Sequence, residues 1–133
     1  PIPMNLNSKK VLVKKSAPSV CDFLSDVKNF EHLMPESISK FEIIRENAFV
    51  FALKGMPEIA LEVKEVNSPN NVILGAISDK IPFRLRVDVT AIDESTSEAE
   101  FLFSGEFNSM MAMMIKSPLN KLLETLSENL KKT

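Results

Sequence analysis

The C-terminal run from Asn108 to Lys132, NSMMAMMIKSPLNKLLETLSENLKK, constrains the fold more than any other stretch of the sequence. Apolar residues recur in it at steps of three or four, which places them on one side of an α-helix. This stripe comprises Met111, Ile115, Leu119, Leu122, Leu126 and Leu130. A helix of about 23 residues is roughly 35 Å long, close to the length of a strand of 10 or 11 residues. The sequence therefore predicts one long amphipathic helix that packs against strands of similar length.

The first third of the chain predicts one strand and two short helices. The strand is expected over Asn5–Lys15, where the alternation of apolar and lysine residues is clear only in the second half. Ser16 and Pro18 then form a helix entry, because serine caps a helix and proline is tolerated in its first turn. Apolar residues at helical spacing continue with a bend near Asn29, and Pro35 ends the second short helix.

From Ile38 onwards the apolar spacing changes to two, which is typical of strands, and six strands are expected. Polar or glycine- and proline-containing turns separate them at Glu46-Asn47, Lys54–Pro57, Asn67–Asn71, Asp79-Lys80 and Asp93–Ser97. Short loops between successive strands imply antiparallel hairpins, and the alternation implies one solvated and one covered face. The long C-terminal helix is expected to cover the apolar face.

Length and composition favour a single cytoplasmic domain spanning residues 1–133. A net charge of −2 argues against broad nucleic-acid binding, which needs a basic surface. The single cysteine, Cys21, forms no internal disulfide, which fits a reducing compartment. No apolar run approaches the ~18 residues of a membrane span, so stable membrane insertion is not expected. The start, PIPMNLNSKK, lacks the apolar core of a secretory signal.

The chain resembles the START-like, Bet v 1-like (SRPBCC) superfamily, whose members include polyketide cyclase/dehydrase-type and lipid-transfer proteins. The resemblance covers essentially the whole chain and rests on the β-αα-β6-α order, the entry Ser16-Ala17-Pro18, the segment from Phe23-Leu24-Ser25-Asp26 to Met34-Pro35, and the amphipathic C-terminal helix. It implies an α+β helix-grip fold, in which a curved seven-stranded antiparallel sheet wraps around the long helix and two short helices follow the first strand. Such folds usually leave an apolar cavity between sheet and helix.

The chain departs from that superfamily in two ways, and the second, its lack of polar aromatic residues, argues against a cyclase activity. Some branches have a glycine-rich loop between the second and third strands, whereas this chain has Arg45-Glu46-Asn47 there. The chain also contains no tyrosine and no tryptophan, the polar aromatics with which cyclase-like pockets commonly orient phenolic or keto groups.

The resemblance points to a ligand site between the sheet and the helix. The candidate residues from the sheet are Phe49, Phe51, Leu61, Leu74, Phe83, Leu85, Phe101 and Phe103. The candidates from the helix are Met110, Met113, Met114, Pro118 and Leu122. Methionine adapts to varied apolar partners because its side chain is flexible and its sulfur polarizable. A solid core filled by these side chains is the alternative, and the sequence leaves both interpretations open.

The sequence contains no specific catalytic, metal or cofactor motif. It has no Cys-x-x-Cys or His-Glu-x-x-His pattern and no glycine-rich phosphate loop, so neither a metal nor a cofactor is predicted. The candidates for acid–base chemistry are His32 and Glu36, on or next to the second short helix. No nucleophile motif surrounds His32, and a structural or surface histidine is the favoured interpretation.

The predicted function is therefore to bind or carry an apolar small molecule, such as a lipid, quinone or polyketide-like compound. Two alternatives stay open. One is an enzyme of the cyclase/dehydrase type, and the other is a protein-interaction module that uses the Met-rich helix. The sequence predicts no nucleic-acid partner, and it does not define the oligomeric state.

Overall fold

An antiparallel sheet packed around one long helix forms the structure, a computed structural model that describes residues 1–78 and 82–133. The strands are β1 (Ile2–Asn7), β2 (Val11–Val13), β3 (Ile38–Arg45), β4 (Ala48–Leu53), β5 (Ile59–Asn67), β6 (Asn71–Ala76), β7 (Phe83–Asp93) and β8 (Thr96–Phe107). The helices are α1 (Ala17–Ser25), α2 (Phe30–Leu33) and α3 (Ser109–Lys131), with a 3-10 turn at Val27–Asn29. The α+β helix-grip prediction is confirmed. The predicted turn at Asp79-Lys80 lies outside the described residues.

The sheet runs in the order β1-β8-β7-β6-β5-β4-β3, and β2 also pairs with β8. Every described pairing is antiparallel. Register shifts interrupt the ladders between β3 and β4, between β5 and β6, and near the end of the β7–β8 hairpin. Such bulges bend a strand and increase its twist, so they help the sheet to curve around a helix.

The predicted first strand, Asn5–Lys15, is divided in the structure by a bulge centred on Ser8. Residues 8–10 lie opposite only residues 100–101 of β8, so one residue is extra. The buried Ser8 donates its N–H to the Phe101 carbonyl at 2.8 Å, and the Phe101 N–H donates to Ser8 Oγ at 3.0 Å. The hydroxyl thus replaces a backbone acceptor and keeps the ladder satisfied across the bulge.

Helix α3 lies on the concave face of the sheet and contacts β1, β2, β8 and α2. Its start is capped by Asn108, whose Oδ1 accepts the Met111 N–H at 2.8 Å. The buried positions of α3 are Ala112, Ile115, Leu119, Leu122, Leu123, Leu126, Ser127 and Leu130. The helix continues through Pro118, which has no N–H to donate to the Met114 carbonyl one turn earlier.

Helix α2 packs beside the C-terminal half of α3, and α1 packs on the sheet. Ser16 caps α1, because its Oγ accepts the Ser19 N–H at 3.3 Å, and α1 contacts strands β5 to β8. Asn129 of α3 donates its side-chain amide to the Leu33 carbonyl of α2 at 2.8 Å. Phe30 of α2 stacks on Phe49 of β4 with ring centroids 5.3 Å apart. This end of the space between sheet and helix is therefore closed.

Ser8→Ala tests the role of the bulge. The variant removes the acceptor of the Phe101 N–H in a buried position, so we expect the free energy of unfolding to fall by about 1–3 kcal/mol. Urea unfolding followed by circular dichroism measures the change. Ser37→Ala, at an exposed position, is the control and should leave stability within about 0.5 kcal/mol. A Ser8→Ala variant as stable as the control would show that the hydroxyl is dispensable.

Candidate functional site

The described side chains that line the deepest part of the space between the concave face of the sheet and α3 are all apolar. This inner cavity has a volume of about 20 Å³. Its lining residues are Phe30, Met34, Phe49, Phe51, Ile59, Leu61, Phe83, Leu85, Phe103, Leu119, Leu122, Leu123 and Leu126. A volume of about 10–15 Å³ is needed to hold one water molecule, so the inner cavity is nearly filled by the protein's own side chains.

An outer groove continues from the inner cavity towards solvent and has a volume of about 150 Å³. It is lined by the β4–β5 turn, by the ends of β7 and β8, and by the first half of α3. The residues are Met56, Pro57, Glu58, Ile59, Phe83, Phe103, Phe107, Met111, Ile115 and Leu119. Ile59, Phe83, Phe103 and Leu119 also line the inner cavity, so these four side chains separate the open space from the filled space.

Gly105 provides the room for one wall of the outer groove. A Cβ atom built on it would lie 3.0 Å from the Phe107 ring and 3.0 Å from Phe83 Cβ. Phe83 is its partner across the β7–β8 ladder. The ring of Phe107 therefore covers the glycine backbone at a distance that a larger residue does not allow.

Glu58 is the only titratable residue among the described residues that line the outer groove. Its carboxylate accepts a hydrogen bond from Lys40 Nζ at 2.9 Å. Hydrogen bonding to Glu58 raises the pKa of Lys40, the direction expected of an ammonium group beside a carboxylate. Glu58 is thus engaged at the rim, and the interior of the groove offers no acid or base within the described part of the chain.

The polar candidates from the sequence lie elsewhere. His32 and Glu36 are both exposed and line neither the inner cavity nor the outer groove. Cys21 is buried in α1, where desolvation raises the pKa of its thiol and keeps it protonated. The described residues include no group of three or more side chains that can hold a metal ion.

Most of the sheet residues expected at the site line the inner cavity, namely Phe49, Phe51, Leu61, Phe83, Leu85 and Phe103. Leu122 does so from α3. Leu74 and Phe101 are fully buried in the core but reach neither space. Their strands, β6 and β8, are also contacted by α1.

The methionine row of α3 lies outside the cavity, contrary to expectation. The exposed fractions of Met110, Met113 and Met114 are 74%, 84% and 50%. Each helical residue rotates the side chain by about 100°, so Met110 and Met113 point almost directly away from Ile115. Pro118 is half-buried beside the stripe and lines neither space.

The helix residues that do line the groove belong to the apolar stripe visible in the sequence. Met111, Ile115 and Leu119 occupy successive turns of that stripe. The contributions of Met56 and Ile59 were missed, because they depend on how the β4–β5 turn meets α3 in space. Phe107 continues the alternation of Phe101 and Phe103 along the strand, and this spacing could have predicted that Phe107 lines the groove.

The described helices include none that is long and apolar enough to cross a lipid bilayer.

The sequence matches no protein-family model and no curated protein. Solved structures match the chain over nearly its whole length. A START superfamily protein from Mycobacterium smegmatis superposes with a TM-score of 0.70 at 15% identity, over 98% of this chain and 94% of that chain. Truncated norcoclaurine synthase from Thalictrum flavum gives 0.69 at 12% identity, over 99% and 96%. A conserved protein from Geobacillus kaustophilus gives 0.67 at 18% identity, over 97% and 93%.

Fold and groove together define a helix-grip domain with an apolar space between its sheet and its long helix. The chain has the START/Bet v 1-like (SRPBCC) fold, as its element order indicated. At 12–18% identity these likenesses establish the fold alone.

Gly105→Ala tests the wall of the groove. The added methyl meets Phe107 and Phe83 Cβ, and overpacking of this kind costs about 1–3 kcal/mol of folding free energy. Gly75→Ala is a matched control in another strand, because its methyl comes close, at 3.2 Å, to the movable side chain of Lys64 and lies in ordinary contact, at 3.7 Å, with the Phe83 carbonyl oxygen. We expect Gly75→Ala to change stability by less than about 1 kcal/mol in thermal or urea unfolding. Equal effects of the two variants would contradict the close packing at Gly105.

Proposed function

We propose that this domain binds an apolar small molecule in the outer groove, between the β4–β5 turn and the first half of α3. One observation carries the proposal. The groove joins open solvent to the core, and the described residues that line it are apolar except for the carboxylate of Glu58, which pairs with Lys40. Small-molecule sites are concave and mostly apolar, and buried polar groups in them serve orientation or chemistry.

The size of the groove limits what it accommodates without rearrangement. Its 150 Å³ is below the roughly 300–1,000 Å³ of most ligand pockets. A larger ligand would have to displace Ile59 or Leu119, which stand between the groove and the inner cavity. The proposal is therefore a small apolar ligand, or one apolar part of a longer molecule such as a lipid, quinone or polyketide-like compound.

Nothing in the site favours catalysis over binding. An acid–base mechanism needs a group within hydrogen-bond reach of the substrate, and His32 and Glu36 are exposed away from both spaces. The described lining offers Glu58 alone, and Glu58 is held at the rim by Lys40.

Met111→Phe tests the proposed function. Met111 lines the groove, so a rigid ring in its place should fill part of the space and weaken binding. We expect the fluorescence of N-phenyl-1-naphthylamine to rise on addition of the wild-type protein, with an affinity about tenfold lower for Met111→Phe. Met113→Phe makes the same substitution on the exposed side of α3 and should bind as the wild type does. Absence of binding to the wild type, or equal loss in both variants, would refute binding at this groove.

A second candidate function, a protein-interaction module, is favoured by the exposed methionines. Met110, Met113 and Met114 form an apolar surface on one side of α3. Large contiguous apolar patches on a protein surface commonly mark interaction sites.

Self-association is the simplest form of this second function, and sedimentation velocity over a range of concentrations measures it. If the methionine surface mediates it, the sedimentation coefficient rises with concentration, and the double variant Met110→Lys, Met113→Lys abolishes that rise. Ile92→Lys, at an exposed apolar residue at the far end of β7, should leave the rise unchanged. A monomer at all concentrations would exclude self-association through this surface.

A further inference from the structure

Three phenylalanine rings form one wall of the outer groove, and their planes are nearly parallel. The rings of Phe103 and Phe107 are inclined by 10° with centroids 6.1 Å apart. The rings of Phe83 and Phe103 are inclined by 28° with centroids 5.8 Å apart. All three line the groove. A ligand that enters there meets a wall that consists of three stacked aromatic rings.

This arrangement depends on Gly105, which has no side chain. Phe103 and Phe107 lie on the same face of β8, four residues apart, so their Cα atoms are separated by about 13 Å along an extended strand. Their ring centroids are nevertheless only 6.1 Å apart. The Phe107 ring closes the difference by lying over Gly105, where its Cε2 and Cζ come within 3.0 and 3.1 Å of a built Cβ position.

Thioether and aliphatic side chains complete the lining. Met56 comes from the β4–β5 turn and Met111 from α3, and both are half-buried. Sulfur makes favourable contacts with aromatic rings, especially at the ring edge. Ile115 and Leu119 add aliphatic surface from the helix. A flat ring in the groove would therefore have aromatic partners on one wall and polarizable partners among the other lining residues.

We infer that the outer groove selects flat, ring-containing apolar molecules over saturated rings and linear chains of the same size. The inference rests on the proposed function, since it concerns the ligand class of that same groove. Aromatic pairs gain stability beyond simple area burial when their centroids lie about 4.5–7 Å apart in offset or edge-to-face contact. An apolar cavity of about 150 Å³ is large enough to hold benzene, so the groove suits one ring or a small fused system.

Three alcohols with the same number of carbon atoms test the inference: 2-naphthol, decahydro-2-naphthol and 1-decanol. Their dissociation constants are obtained by displacement of N-phenyl-1-naphthylamine from the wild-type protein. If burial of apolar area alone decided affinity, 1-decanol would bind most tightly, because it has the most aliphatic surface to remove from water. We expect instead that 2-naphthol binds about tenfold more tightly than either saturated alcohol.

Phe107→Leu tests whether the aromatic wall of the groove causes the tighter binding of 2-naphthol. It removes a ring but keeps an apolar side chain, so the affinity for 2-naphthol should fall about three- to tenfold while that for 1-decanol stays within about twofold. Phe23→Leu removes a ring outside the groove, one that lies under Lys15 Nζ at 4.5 Å, and should change none of the three affinities. Phe83→Leu makes the same comparison at the neighbouring ring if Phe107→Leu does not fold.

The outcomes separate the inference from the proposed function. Equal binding of the three alcohols, or tightest binding of 1-decanol, overturns the ring selectivity and leaves an apolar binding site intact. Binding of 2-naphthol that is unaffected by loss of the Phe107 or Phe83 ring also overturns it. If neither the fluorophore nor any alcohol binds, the proposed function itself fails.

Discussion

The packing of the α3 stripe against the concave face of the sheet is the interaction on which the rest of the structure depends. Ile115, Leu119, Leu122 and Leu126 are buried there, and each fully buried aliphatic side chain contributes about 1.5–3 kcal/mol. The same contact sets the site. Where α3 lies closely on the sheet the space is nearly filled, and beside its first half a groove remains. The nearly filled space and the open groove thus lie side by side along the length of one helix.

Two local irregularities of the sheet, at Ser8 and Gly105, affect its edge and the wall of the groove. The bulge at Ser8 lets the first strand continue along β8 on both sides of the interruption, with the serine hydroxyl completing the hydrogen bonds. Gly105 acts in a different way, because its missing side chain lets Phe107 approach Phe103. One irregularity maintains the edge of the sheet, and the other shapes the wall of the groove.

Local patterns predicted the fold well and the site only partly. Apolar residues recur every second residue in a strand, and every third or fourth in a helix, when one face of the element is buried. This spacing predicted strands β3 to β8 and helix α3 from the sequence. The break at Ser8 was not, since its partner Phe101 is 93 residues away. The first turns of α3 were ambiguous because methionines occur on both sides of the helix. The spacing already put Met111 in the apolar stripe, but only the tertiary packing shows that Met110 and Met113 point outward.

Pro118 lies where α3 passes from the groove to the closed core, and it affects how readily the first half of α3 can separate from the sheet. Pro118 has no backbone N–H, so one of the backbone hydrogen bonds that couple the two halves of α3 is missing. Partial opening of a structure costs less free energy than global unfolding when few interactions connect the moving part to the rest. Opening of the first half of α3 would therefore break one backbone hydrogen bond fewer than opening of an uninterrupted helix, and it would leave the buried positions of Leu122, Leu126 and Leu130 in place.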